Sequence, residues 1–100
     1  MAVYMVIEIE VHDPETYAEY MHRIPETVEK YGGRYLVRGG PVLALTGDWR
    51  PERIVIVEFP TFQQMWTWNA SPEYQELAPM RIQSAKTRAI ALEGYTPPAA

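Results

Sequence analysis

The stretch GDWRPERIVIVEFPTFQQMWTWNASPEYQELAPMR, residues 47–81, decides how this chain folds. A turn around Gly47, Asp48 and Trp49 leads into Arg53 to Phe59, a nearly continuous apolar run rich in Ile and Val. That run predicts a central strand covered on both faces. Thr61 then opens a helix expected to carry Phe62, Met65 and Trp66 inward. Ser71 before Pro72 is capping chemistry for a further helix and not a nucleophile, since no G-x-S-x-G elbow surrounds it. Tyr74, Leu77, Ala78 and Ile82 mark the apolar side of this helix, and Pro79 bends it.

Upstream, Val3, Met5, Ile7, Ile9 and Val11 alternate with Tyr4, Val6, Glu8 and Glu10. That is the period of a strand with one packed face and one face meeting something polar. Asp13 and Pro14 stand as N-cap and first residue of an amphipathic helix. Its apolar positions are Tyr17, Tyr20, Met21, Ile24, Val28 and Tyr31. Pro25 removes the bond to the Met21 carbonyl and predicts a kink; Gly32-Gly33 predicts a left-handed cap. Arg34 to Arg38 reads as a second strand, broken by a bulge or bend at Gly39-Gly40-Pro41, with Val42 to Thr46 extended beyond it. Residues 87–93 form the last strand, with Ile90 and Leu92 on the packed face. The expected organisation is one domain over 1–94 with a tail at 95–100.

This order predicts an α+β fold with a four-stranded antiparallel sheet and the helices on one face. The other face is left bare, holding Tyr4, Val6, Leu36, Ile54 and Ile56. Soluble monomers seldom expose such a patch, so a second copy of the chain is the expected cover. The segment GGRYLVRGG at 32–40, the tryptophan turn, the strand ending in Glu58 and the serine-capped SPEYQ at 71–75 come in a specific order and spacing. Over about residues 3–94 this order resembles the DUF1330 family of small bacterial proteins. The resemblance implies a ferredoxin-like βαββαβ fold assembled as a dimeric α+β barrel, and a family with no general assigned activity. Through the wider superfamily it implies a cofactor-independent monooxygenase, isomerase or cyclase acting on an acidic or aromatic substrate. The alternative is a non-catalytic ligand-binding or structural homodimer.

Charge and composition narrow the classes further. A net charge of −4, with 9 basic residues dispersed among 13 acidic ones, argues against nucleic acid. Without cysteine there is neither a disulfide nor thiolate chemistry. The only histidines, His12 and His22, lack ligand spacing, so no metal, haem or other cofactor is expected. No basic leader and no long apolar run precede Glu8 and Glu10, so the expected location is cytoplasmic and away from membranes.

Alternation also gathers charge. If Ile7, Ile9, Val55, Val57 and Phe59 face the helices, then Glu8, Glu10 and Glu58 share the opposite face, and Arg34 and Arg38 are expected to join them. Arg38 as a carboxylate or enolate anchor and Glu58 as general base form the catalytic reading; a structural ion pair is the competing one. Trp49 is expected to cover a core edge or a cavity mouth. Glu8, Tyr74 and Arg81 complete the candidate binding set, the last two through the S-P-E-Y-Q and L-x-x-x-R pattern of the resemblance.

Overall fold

In a computed structural model, which describes residues 1–99, the alternating and amphipathic segments become seven elements. They are β1 (Val3–Val11), α1 (Pro14–Lys30), β2 (Arg34–Arg38), β3 (Arg53–Phe59), α2 (Phe62–Asn69), α3 (Pro72–Ser84) and β4 (Ala85–Glu93). The strands make one antiparallel sheet in the order β2-β3-β1-β4, the ferredoxin-like arrangement. Residues 94–99 carry no regular structure, and the last residue of the expected tail lies outside the described residues.

Each helix begins where its sequence signal lies. Asp13, Thr61 and Ser71 accept backbone N–H groups of Thr16, Gln64 and Tyr74 through their side chains, satisfying donors that a helix start leaves free. The end of α1 is a Schellman cap: Gly32 N–H donates to Glu29 and Gly33 N–H to Val28, with Gly32 at φ 87°. Gly33 has a second constraint, because a Cβ there would stand 2.7 Å from both Val28 and Phe59. The helix end is thereby pressed against the end of β3.

The core lies between the helices and one sheet face. Val3, Ile9, Val55, Val57 and Phe59 meet Tyr17, Tyr20, Ile24, Val28, Met65, Trp68 and Leu77 there. Trp68 stands between Phe59 and Tyr74, at 5.5 and 4.3 Å between ring centroids. Its indole N–H donates to Thr27 Oγ1 at 3.0 Å, and the Thr27 hydroxyl donates in turn to the Ile24 carbonyl at 2.8 Å. This corrects the expected phase of α2. Phe62 and Trp66 are exposed, and Met65 and Trp68 point inward, one turn apart on the face where the indole N–H finds its acceptor.

Two further expectations change. Ile90 pairs with Val6 and Leu92 with Tyr4, so both belong to the open face; the small Ala89 and Ala91 take the helix side, opposite Ile7 and Met5. β3 is central in the sheet, yet only its odd-numbered residues Val55, Val57 and Phe59 are buried, while Ile54 and Ile56 remain partly exposed. The connection over 39–52 pairs into no strand, and Leu43 and Leu45 are more than 80% exposed on it, at 82% and 86%. The radius of gyration is 14.4 Å, against about 13 Å for an ordinary domain of this length.

A polar clasp closes the two longer helices. Lys30 in the last turn of α1 pairs with Glu73 in the first turn of α3, and Tyr31 Oη donates to Glu73 at 2.9 Å. The Lys30 ammonium, then the Glu73 backbone N–H and the Tyr31 hydroxyl, hold the Glu73 carboxyl at about 2 against an ordinary 4.5. A depressed carboxyl stabilises the fold fully above its unfolded value and loses that contribution as pH falls toward the folded one. The thermal midpoint should therefore drop between pH 4.5 and about 2, and Glu73→Gln should flatten that limb of the profile. A second expectation comes from the buried relay. Thr27→Val keeps shape but strips the acceptor from the Trp68 indole, and urea unfolding should show a loss of about 1–3 kcal/mol.

Candidate functional site

The register of β1 against β3 and β4 builds the open face. Tyr4 pairs with Glu58 and Leu92, Val6 with Ile56 and Ile90, and Glu8 with Ile54 and Arg88. Each charge near its middle has a partner. Arg34 Nε donates to Glu58 at 2.6 Å, and Arg88 Nε donates to Glu8 at 3.0 Å. Arg34 first, helped by the Tyr4 hydroxyl, holds the Glu58 carboxyl below the usual carboxylate value despite some burial. Arg88 does the same for Glu8, aided by Trp49. Tyr4 is pushed up in turn by its bond to Glu58. Trp49 comes back from the arm onto this face and lines a shallow hollow of about 280 Å³ with Val6, Glu8, Ile54, Arg88 and Ile90. A larger, charged hollow of about 460 Å³ lies next to it, around Glu10, Arg50, Glu52 and Lys86.

Arg38 is not on this face. The register of β2 against β3 shifts between Tyr35 and Val37, so Leu36 is the extra residue of a bulge. Arg34 still faces Glu58 as expected, but past the bulge Val37 opposes Ile56 and Arg38 opposes Val55 on the helix side. The expected meeting of Arg38 with Glu58 is thus overturned by one inserted residue, and the break comes before Gly39-Gly40 instead of at it. What Arg38 meets is the Met21 carbonyl, to which its guanidinium donates. That carbonyl is the one Pro25 leaves without an intrahelical donor, and α1 runs unbroken through the proline. Arg38 also lies over the Tyr35 ring at 4.9 Å.

Next to Arg38, Arg53 lies over the Tyr17 ring at 5.1 Å. Arg38, Arg53, Tyr17, Met21, Ala18, Pro14 and Val11 line an open pocket of about 330 Å³. The Tyr17 hydroxyl is buried beside the Arg53 guanidinium, with no acceptor for its own proton among the described residues. Burial pushes its pKa up, while Arg53 and, less strongly, Arg38 pull it down. Deeper in, Tyr20 is raised by burial and by the neighbouring Tyr74 and Tyr35, and opposed by Arg81. Burial likewise pushes Tyr35 up to about 12. Tyr74 is therefore a core residue beside Trp68, and Arg81 donates to Thr87 Oγ1 with its Nε buried and unpaired.

The candidate residues thus divide between the two sides of the sheet. Glu8, Trp49 and Glu58 lie on the open face, and Arg38, Tyr74 and Arg81 on the helix side. Sequence reasoning passed over Tyr17 and Arg53 as site residues. The available signal was their packed-side phase, Tyr17 on the apolar stripe of α1 and Arg53 in step with Val55 and Val57. His12 and His22 are exposed, and no group of three acidic or histidine side chains suited to a metal occurs among the described residues.

Known structures with this architecture are diverged in sequence. The RPA0582 protein of unknown function from Rhodopseudomonas palustris is 24% identical, with a TM-score of 0.79 over 96% of this chain and 84% of that one. A dimeric ferredoxin-like protein of unknown function from Jannaschia sp. is 13% identical, with a TM-score of 0.72 over 94% and 100%. SnoaB, a cofactor-independent oxygenase from Streptomyces nogalater, is 11% identical, with a TM-score of 0.67 over 96% and 95%. At these identities the likeness is one of fold, the ferredoxin-like arrangement already seen in the strand order. No curated protein matches. The sequence profile of a domain of unknown function, DUF1330, matches residues 2–95, and with the fold and motif order in agreement the chain belongs to the DUF1330 family.

Proposed function

We propose that this protein is a homodimer that binds a small molecule, paired through the open faces of its sheets. The observation that carries this reading is the open face itself. Val6, Val37, Ile54, Ile56, Ile90 and Leu92 stand on it together, and the charges among them are already neutralised as Arg34–Glu58 and Arg88–Glu8. Paired charges can be covered at far lower cost than single ones, so the face suits contact with a second copy. The exposed Leu43, Leu45 and Trp49 of the arm add apolar surface beside it. The dimeric protein from Jannaschia, with the same fold, supports the reading.

Binding is favoured over catalysis. Glu58, the candidate base, is held ionised by Arg34 and lies across the sheet from Arg38, the candidate anion stabiliser. A carboxylate depressed in this way is a weak proton acceptor, whereas a general base works best near the operating pH. The second reading is a cofactor-independent oxygenase, isomerase or cyclase; it draws on the fold shared with SnoaB and needs a base other than Glu58.

Sedimentation equilibrium at micromolar concentration should give twice the chain mass. Ile56→Asp should yield monomer or unfolded chain, and Ile90→Lys, nearer the sheet edge, should weaken association with the far-ultraviolet circular dichroism unchanged. A wild-type monomer would remove the dimer reading. Carboxyl NMR should find Glu58 titrating below 4.5; a midpoint near neutrality would bring the enzyme reading back ahead.

A further inference from the structure

We propose that the pocket between α1 and the β2–β3 strand ends binds a compact organic carboxylate, gripped by Arg38 and Arg53 over the Tyr17 hydroxyl. This deepens the small-molecule reading by giving it a site and a ligand class.

The first argument is charge. In a protein of net charge −4, two guanidiniums line one pocket, and among the described residues neither takes part in an ion pair. No carboxylate lines the pocket; Glu10, Glu15 and Glu19, its neighbours in sequence, are exposed, and two others are engaged with backbone. Glu52 accepts the Val11 N–H at 3.1 Å, and Asp13 accepts the Thr16 N–H and hydroxyl at 3.3 and 2.7 Å. Arg38 has one recorded bond, to the Met21 carbonyl, and a guanidinium carries five N–H donors, so most of its capacity is unused.

The second argument is construction. Arg38 is braced by the freed carbonyl of α1 and by the Tyr35 ring. Arg53 lies along the Tyr17 ring, and its stem crosses Gly39, where a Cβ would stand 3.2 Å from Arg53 Cδ. Gly39 has φ 84° and donates its N–H to the Ile54 carbonyl, so the bend that follows β2 leaves room for the Arg53 stem. Side chains held this way lose little freedom when they close on a ligand. Tyr17 is 3% exposed, and its hydroxyl, with the Arg53 guanidinium beside it and no acceptor for its own proton among the described residues, is a donor left over beneath the two cations.

The third argument is size and polarity. The pocket holds about 330 Å³, near the lower bound of about 300–1,000 Å³ for small-molecule sites, and Val11, Ala18 and Met21 supply apolar wall. That fits one carboxylate on a single ring or a short branched chain. Two guanidiniums match the paired oxygens of a carboxylate, and the apolar wall distinguishes such a ligand from inorganic phosphate.

Isothermal titration of the full chain with benzoate, benzamide and inorganic phosphate tests this. Benzoate should bind once per chain, at least about tenfold tighter than either neutral benzamide or phosphate, and more weakly as salt rises. Arg53→Gln should weaken benzoate by about tenfold or more. Tyr17→Phe should weaken it several-fold while lowering the thermal midpoint little, because that hydroxyl donates to no acceptor among the described residues. Three results would overturn the proposal: benzamide or phosphate binding as well as benzoate, no benzoate binding up to about 10 mM, or unchanged benzoate affinity in either variant. Sedimentation of the same samples reports the dimer separately, so the two readings fail independently.

Discussion

The antiparallel register of β1 against β3 is the constraint on which the rest of this structure depends. With Ile7 opposite Val55, the two strands send Val3, Ile9, Val55, Val57 and Phe59 to one side and Tyr4, Val6, Glu8, Ile54, Ile56 and Glu58 to the other. A slip of β3 by one residue would exchange its two sets, burying Glu58 under the helices and turning Phe59 to the open face. Because a buried carboxylate without a partner costs several kcal/mol, of the order of the whole stability of a small domain, the register is strongly specified. The division of polar from apolar work follows from it.

The second dependence joins a helix to a strand that does not pair with it. Pro25 leaves the Met21 carbonyl without its helical donor, and Arg38 supplies a replacement from β2. Without the bulge at Leu36, Arg38 would lie on the far side of the sheet and could not reach that carbonyl. Proline, bulge and arginine therefore act together. Removing the arginine strands a carbonyl, while straightening the strand would move a charge to the open face.

Much of this was legible in the chain because it rests on local rules. The caps at Asp13, Thr61 and Ser71, the left-handed Gly32 and the alternation through 3–11 each depend on a few neighbouring residues, and each appears where the sequence puts it. That Arg34 shares a face with Glu58 also followed from alternation, although the partner expected for Glu58 was Arg38. What was hidden depends on pairing between distant segments. Nothing in RYLVR announces that Leu36 is the extra residue; the bulge follows from pairing with β3, and one residue moved Arg38 across the sheet. The choice of Trp68 over Trp66 turned on Thr27, 41 positions earlier, as the indole acceptor. Ile90 and Leu92 were misassigned because an apolar residue on an edge strand suits a core or an interface equally well.

The two sides of the sheet use charge in opposite ways, and this difference separates the surface that a subunit can cover from the pocket that a ligand can enter. On the open face Arg34 and Arg88 are matched by Glu58 and Glu8, leaving little net charge for an incoming surface to neutralise. On the helix side Arg38 and Arg53 face a carbonyl, aromatic rings and a buried hydroxyl, with no carboxylate paired to them among the described residues. Covering that side with an apolar partner would leave two cations desolvated and unpaired, a cost that shape complementarity does not offset. An anion carries its own compensation. Physical economy therefore assigns association to the face whose charges are paired and recognition of a small acid to the pocket whose charges are not.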